Sequence, residues 1–355
     1  MNTAELELLI YKKRLLYLEK QKKLTPKQIH EVQAMYQIIT EGKKYYPSQY
    51  RIVDDIKLTE RLFNIMQKYN APTLPSYEEM PHTTPSLNEK EISLLDFCNN
   101  LKIPQKTKPD CDAKDTILNL CEYTSWATQQ QDAAYVFLLR DEFLPYVIAS
   151  HTTNLHCYPL LLGRKLLKYF YSNESNNGFD YGECDDDPIY LEFLYTICDT
   201  LAHHQKSFTS FFKELKPKFL KLIHKNPAFY NFLKYQLNKI PDKKIIVVEC
   251  GRFGTMPLIL KCIDKRVDFR LFATGPEIYN VYKNKLFTKN GLNVAIHELV
   301  LLEKSISQNE MFVFSSVKNN ELMIKINNNK NILDKCYQEI GYSLKAYKKR
   351  ISKTC

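Results

Sequence analysis

The stretch Lys243–Lys261, KKIIVVECGRFGTMPLILK, decides how the chain is read. Four β-branched residues, Ile245, Ile246, Val247 and Val248, lead into Glu249. Such a run suits a strand buried on both faces, as in a parallel sheet covered by helices. Cys250 follows, then a turn with Gly251 and Gly254, and Thr255-Met256-Pro257 opens an apolar helical segment. Thr255 is expected as the N-cap, and Pro257 is tolerated in a first helical turn. Strand, glycine turn and helix start gather backbone N–H groups around a crevice that favours an anion. The same pattern also serves as an ordinary β-to-α turn in which glycine has only a steric job.

Working outward, two earlier segments repeat the theme. Ala133–Leu139, AAYVFLL, ends in Arg140-Asp141-Glu142, and Phe143–Ser150 reads as a short helix with Pro145 in its first turn. His156–Leu162 is a second apolar run, ending in Gly163-Arg164-Lys165 and a basic-aromatic helix through Tyr171. Strand, helix, strand is a βαβ unit, whose right-handed crossover implies a parallel sheet. Ligands of open parallel sheets bind outside the carboxyl ends of the strands. Three turns are expected at that edge: Leu139–Glu142, Leu162–Lys165 and Glu249–Thr255. They offer Arg140, Arg164, Lys165 and Arg252 as cations, Asp141 and Glu249 as acids, and the backbone of Gly251, Arg252, Phe253, Gly254 and Thr255. Arginine forks match phosphate geometry and a helix N-terminus adds partial positive charge, so the set suits a phosphorylated ligand. Asp141 or Glu142 is placed to serve as a general base.

The flanks read differently. Residues 1–130 are expected to be an all-helical N-terminal region: a hairpin over Ala4–Lys22 and Pro26–Gly42, then Leu58–Tyr69, Glu89–Leu101 and Lys114–Gln130, with a Pro-rich connection at Ala71–Pro85. The α/β domain is expected over 131–330, with a helical insertion at 172–242. The insertion opens on a polar segment, Ser172–Pro188, whose acids do not follow EF-hand spacing. Asp268–Ala273, Val294–Leu302, Met311–Val317 and Leu322–Ile326 read as later strands, and 331–355 as a basic C-terminal helix.

A chain of 355 residues holds one large or two ordinary domains. With 44% hydrophobic and 25% charged residues it belongs to the globular class and not to disordered or fibrous chains. No uncharged apolar run reaches bilayer length, and the charged amphipathic start is no secretory signal. A cytoplasmic protein with no membrane partner is the expectation. Ten cysteines contain no CxxC pair and have no accompanying His cluster, so reduced thiols are expected and a zinc site is not. The net charge of +10, with lysine-rich stretches near both ends, is compatible with a polyanionic partner. No GxSxG elbow, Walker loop or HExxH is present. Cys250 has no His placed to activate it and reads as a small packing residue.

The order of these pieces resembles a type I phosphoribosyltransferase, over Asp132–Tyr171 and Lys243–Val317. By that resemblance VFLLRDE around Arg140 is the pyrophosphate-binding turn, and PLLLGRK around Arg164 is the second strand and its exit. IIVVECGRFGT is the phosphoribosyl-pyrophosphate loop, with Thr255 and the Gly251–Gly254 backbone on the 5-phosphate, and RLFATGPE is the strand that follows. The resemblance implies an open, mainly parallel α/β sheet and Mg2+ bridging pyrophosphate oxygens. Arg140 would then neutralise the leaving group, and Glu249 would contact the ribose and stabilise an oxocarbenium-like state. The chain departs from the family at Cys250, where a second acid is usual, and in a shortened glycine turn.

Three readings follow. The first is an enzyme that transfers or cleaves at a (phospho)ribosyl centre of a phosphorylated sugar or nucleotide. The second is a non-catalytic nucleotide sensor or effector subunit, docked to a protein partner through the helical N-terminal region and the basic C-terminal helix. The third is a nucleic-acid-binding protein on an α/β scaffold.

Overall fold

The computed structural model describes residues 8, 11–12, 15–45, 56–73, 87–101, 103, 114–139, 142–171, 188–203, 207–249, 253–272, 279–289, 292–293 and 311–354. In chain order its elements begin with α1 (Pro26–Tyr45), α2 (Ile56–Lys68), β1 (Leu87–Ser93), α3 (Leu94–Asn99) and α4 (Lys114–Ala127). The first βαβ unit is β2 (Ala134–Leu138), α5 (Phe143–Thr152) and β3 (Cys157–Leu160). Four helices follow: α6 (Arg164–Tyr171), α7 (Pro188–His203), α8 (Phe208–Ile223) and α9 (Pro227–Asn238). Then come β4 (Ile245–Glu249), α10 (Thr255–Ile263), β5 (Val267–Leu271), α11 (Tyr279–Tyr282), β6 (Thr288–Lys289) and β7 (Leu292–Asn293). The hairpin β8 (Phe312–Lys318) and β9 (Glu321–Asn327) and the long helix α12 (Lys330–Thr354) close the series.

The β-branched run forms β4, and Ile245–Val248 are each 0% exposed. Burying each such side chain contributes about 1.5–3 kcal/mol, so this strand is placed where both its faces are covered. The sheet order is β3-β2-β4-β5. Every neighbouring pair is parallel, with Val136 opposite Val247 and Val248 opposite Arg270. The crossover from β2 runs outward to β3, and that from β4 runs the other way to β5. Right-handed crossovers in opposite directions put their helices on opposite faces. Accordingly α5 packs with α4 and α12, while α10 packs with α7, α8 and α9. Edge strand β3 carries Pro159, tolerated there because its nitrogen has no ladder bond to make.

The α/β expectation therefore holds at the level of a parallel sheet between helical layers, but the N-terminal region is not all-helical. The segment expected as one helix over Glu89–Leu101 is split into β1 and α3. β1 pairs antiparallel with β9 in a second sheet, order β1-β9-β8, with Ile92 opposite Ile324. Its partner lies more than two hundred residues away, so no local periodicity announces it. Ser93 ends the strand and caps α3, its Oγ accepting from the Asp96 N–H at 3.4 Å. The two later strands expected over Met311–Val317 and Leu322–Ile326 are β8 and β9, and they belong to this second sheet. Asn319 and Asn320 join them with φ of 51° and 60°, the left-handed pair that a two-residue hairpin turn demands. Across the sheet the Glu91 carboxylate accepts from Ser315 and, at 3.2 Å, from Ser316, and pairs with Lys318 at 2.5 Å. Lys318, then Ser315, hold its pKa below the ordinary carboxylate value.

Two hydrophobic cores result. The larger runs from Leu94 to Tyr347 and includes Ile117, Leu120 and Tyr123 of α4 as well as Cys336, Ile340 and Leu344 of α12. The boundaries expected at residues 130 and 331 thus fall inside one packed body, because α3, α4 and α12 bury their apolar faces on the α/β layer. The smaller core joins Tyr11, Leu15, Leu18, Val32, Met35, Leu58 and Leu62 of the N-terminal helices. There the Arg61 fork grips Glu19 at 2.8 and 2.5 Å. The insertion is helical in α7, α8 and α9, and its polar stretch 172–187 lies outside the described residues, as does the strand expected at Val294–Leu302. Among the described residues no helix is long and apolar enough to cross a membrane.

Two outcomes follow from this packing. Ile246→Ala is expected to cost about 2–5 kcal/mol, read as a lowered urea midpoint with an unchanged slope. Burial pushes the Cys98 and Cys262 thiols up to about 12. Unfolded thiols ionise near about 8.5, so the stability these groups contribute is full below that value and is lost as pH rises toward about 12. Urea midpoints should fall between about pH 8 and pH 11, and Cys98→Ala with Cys262→Ala should lessen that fall.

Candidate functional site

The two crossovers part company between β2 and β4. Their chains leave the carboxyl ends in opposite directions and open the crevice where ligands of such sheets bind. On the β2 side the Leu139 N–H still bonds the Leu160 carbonyl at 2.9 Å, and Glu142 begins the approach to α5. On the β4 side Glu249 ends the strand, and Phe253, Gly254 and Thr255 lead into α10. Of the residues expected here, Arg140, Asp141, Gly251 and Arg252 lie outside the described residues, as does Cys250. Glu249, Phe253, Gly254 and Thr255 lie together at this switch point. Arg164 and Lys165 do not share it. They open α6 beyond β3, two strand spacings or about 10 Å from β4. The Arg164 guanidinium lies 4.8 Å from the Tyr190 ring centroid, so part of its charge is turned toward α7.

The turn into α10 corrects one local expectation. Gly254, not Thr255, is the N-cap, with φ 64° and ψ 28°. No side chain can cap from that position, and the Gly254 carbonyl accepts the first helical bond from the Leu258 N–H at 3.0 Å. A Cβ there would stand 3.2 Å from Leu271 Cδ1 and 3.3 Å from Tyr282 Cε2. Both the left-handed backbone and the close neighbours therefore require glycine. Thr255 becomes the first helical residue. It is 4% exposed, and its buried Oγ1 has no hydrogen-bond partner among the described residues. A buried hydroxyl left in that state costs about 1–3 kcal/mol, which marks the position as one built for a bonding partner. The first N–H groups of α10 and the positive end of its dipole lie at the same place.

Tyrosines hold the turn from beneath. The Tyr282 hydroxyl donates to the Phe253 carbonyl at 3.1 Å. Burial first, and the neighbouring Glu249 charge second, hold its phenol well above the ordinary value, so it stays a neutral donor. Tyr123, from α4, sits across the strand ends. Its hydroxyl lies 3.4 Å from Glu142 Oε1, 3.2 Å from the Glu249 carbonyl and 3.3 Å from the Arg270 carbonyl. With one hydrogen to donate, the phenol bonds one of these acceptors at a time, at the point where the exits of β2, β4 and β5 converge. Its ring meets Phe272 at 5.0 Å and Phe287 at 5.7 Å, closing an apolar wall beside β5. Tyr123 was invisible in the sequence, because it sits in a helix without any motif. Glu142 was legible only as one of two acids after β2, and the structure places it at 0% exposure.

The Glu142 carboxylate at the start of α5 and the Glu249 backbone carbonyl at the end of β4 therefore meet at Tyr123. Among the described residues no group of three or more His, Cys, Asp or Glu gathers to hold a metal ion. Magnesium bound with a phosphorylated substrate asks for less, one or two carboxylates beside the phosphate oxygens. Glu249, half-buried at the end of β4, is one carboxylate of the kind such binding uses. Cys98, Cys157 and Cys262 are free thiols.

Gly254→Ala should lower stability by about 1–2 kcal/mol in urea unfolding, the cost of holding an L-residue left-handed. Comparisons of the chain with protein-family models, with curated proteins and with solved structures found no match.

Proposed function

We propose that the chain is a divergent phosphoribosyltransferase-like protein that binds a phosphorylated sugar or a nucleotide in the crevice between β2 and β4. The buried Thr255 hydroxyl, without a partner among the described residues at the N-terminus of α10, carries this reading. A phosphate there would accept from that hydroxyl and from the first amides of α10, in the favourable field of the helix end. Gly254 leaves no side chain at the cap position. Glu249, at the exit of β4, would contact the ribose hydroxyls and stabilise positive charge developing at the anomeric carbon. Arg140 and Asp141 follow β2 directly in sequence and supply the cation for a leaving pyrophosphate and a base. Mg2+ held by phosphate oxygens and Glu249 would neutralise the leaving charge. With Cys250 in the place of a second acid, ribosyl chemistry rests on Glu249 alone, and ligand binding is the primary function.

Thermal unfolding with phosphoribosyl pyrophosphate, ribose 5-phosphate and nucleoside monophosphates, each with and without Mg2+, tests this. A bound ligand should raise the melting temperature with concentration, by the equivalent of about 2.7 kcal/mol at a hundredfold excess over Kd. Thr255→Val keeps shape and removes the hydroxyl, so it should abolish most of that rise while leaving the ligand-free protein folded. Glu249→Gln should retain binding and stop any consumption of the ligand. A full ligand response in Thr255→Val, or no response to any of these compounds, would overturn the proposal. Binding without consumption assigns the chain to sensing rather than transfer.

A further inference from the structure

A second feature lies on another part of the molecule, in the helices between β3 and β4. From Leu215 to Pro241 the chain carries six lysines and one histidine and no carboxylate. Two of these lysines are neutralised from outside the stretch. Lys218 pairs with Asp199 at 3.0 Å and Glu214 at 2.9 Å, and Lys225 pairs with Glu192 at 2.5 Å. Lys221, Lys234 and Lys239 are exposed, and none makes an ion pair with a described residue.

The helix geometry collects these charges. In α9 the apolar residues Phe229, Phe232, Leu233 and Leu237 are buried on one side. Helical periodicity then turns Asn231, Lys234, Tyr235 and Asn238 outward on the opposite side. Aromatic rings are interleaved with the cations. His224, at the end of α8, meets the Tyr230 ring at 4.6 Å, and Lys234 Nζ lies 5.7 Å from the same ring. Lys239 Nζ lies 4.5 Å from the ring of Tyr235, which is 43% exposed. His224, Tyr230 and Lys234 therefore form one contact cluster and Tyr235 with Lys239 a second, both along the exposed side of α9.

We propose that this strip, from the end of α8 along α9, is a docking surface for single-stranded nucleic acid. Uncompensated lysines track a phosphate backbone, and amide side chains such as Asn231 and Asn238 can bond phosphate or sugar oxygens. The exposed tyrosine face stacks a base, which requires that base to be unpaired. An anionic membrane would ask for aliphatic side chains to insert. The strip exposes none, since Tyr235 is its only large exposed apolar residue. This surface stands independently of the crevice between β2 and β4.

Fluorescence anisotropy of the full chain with labelled twelve-nucleotide deoxythymidine and uridine oligomers tests the assignment. Three phosphate contacts predict that log K falls against log salt with a slope of about −2. Replacing Lys221, Lys234 and Lys239 together by Gln should flatten that slope toward zero and weaken binding at low salt by at least about tenfold. Tyr235→Ala should cost at least about fivefold, and Tyr235→Phe should restore the loss because the ring is kept. Neutralising Lys335, Lys345 and Lys348 on α12 removes the same charge elsewhere and should change affinity little. Equal losses from the α12 and α9 variants would overturn the proposal. So would preference for a duplex or for phosphatidylserine vesicles, or no binding to either oligomer.

Discussion

Burial of four consecutive β-branched side chains in β4 is the constraint from which the rest of the architecture follows. Ile245–Val248 have no exposed surface, and such a strand is stable only with partners on both edges and helices on both faces. β2 and β5 supply the edges. α5 and α10 supply the faces, and right-handed crossovers place them on opposite sides only if the chain leaves β2 and β4 in opposite directions. That divergence is what opens the crevice. The position of the candidate site is thus a consequence of the need to cover β4, before any ligand chemistry is considered.

The crevice is built by tertiary contacts of small polar groups against aromatic rings. Gly254 takes a left-handed conformation, and Leu271 and Tyr282 crowd the place a Cβ would take. Tyr282 holds the Phe253 carbonyl from below, and Tyr123 spans the ends of β2, β4 and β5. Phenols suit this work, since each fills apolar volume and still satisfies a backbone carbonyl at its tip.

The second sheet and the second core show how the flanking regions are used. β1 enters from the N-terminal side to pair with β9, and α12 returns from the C-terminal side to cover α5. Both ends of the main body are therefore stitched to its middle, while the N-terminal helices keep a core of their own. The surplus positive charge is not spread evenly over this frame. The carboxylate-free stretch of α8 and α9 concentrates it beside the exposed Tyr235 ring.

Local pattern made the central strand, its glycine turn, the βαβ unit and the helical insertion legible, because burial on two faces and helical periodicity are written in neighbouring residues. The left-handed turn is legible in part: two glycines mark it, but the local pattern points to Thr255 for the cap that Gly254 takes. β1 was not legible. Its residues alternate weakly, and its strand conformation is stabilised by hydrogen bonds to β9 far along the chain. Tyr123 and the burial of Glu142 were not legible either, since a phenol that reaches three strand ends is defined by helix placement, not by spacing. The sequence by itself determined which segments are buried and which turns carry polar groups, for side-chain chemistry and periodicity act over a few residues. Tertiary structure alone decided which of those turns meet: strand order puts Glu142, Glu249 and Thr255 around one crevice and leaves Arg164 a strand beyond it.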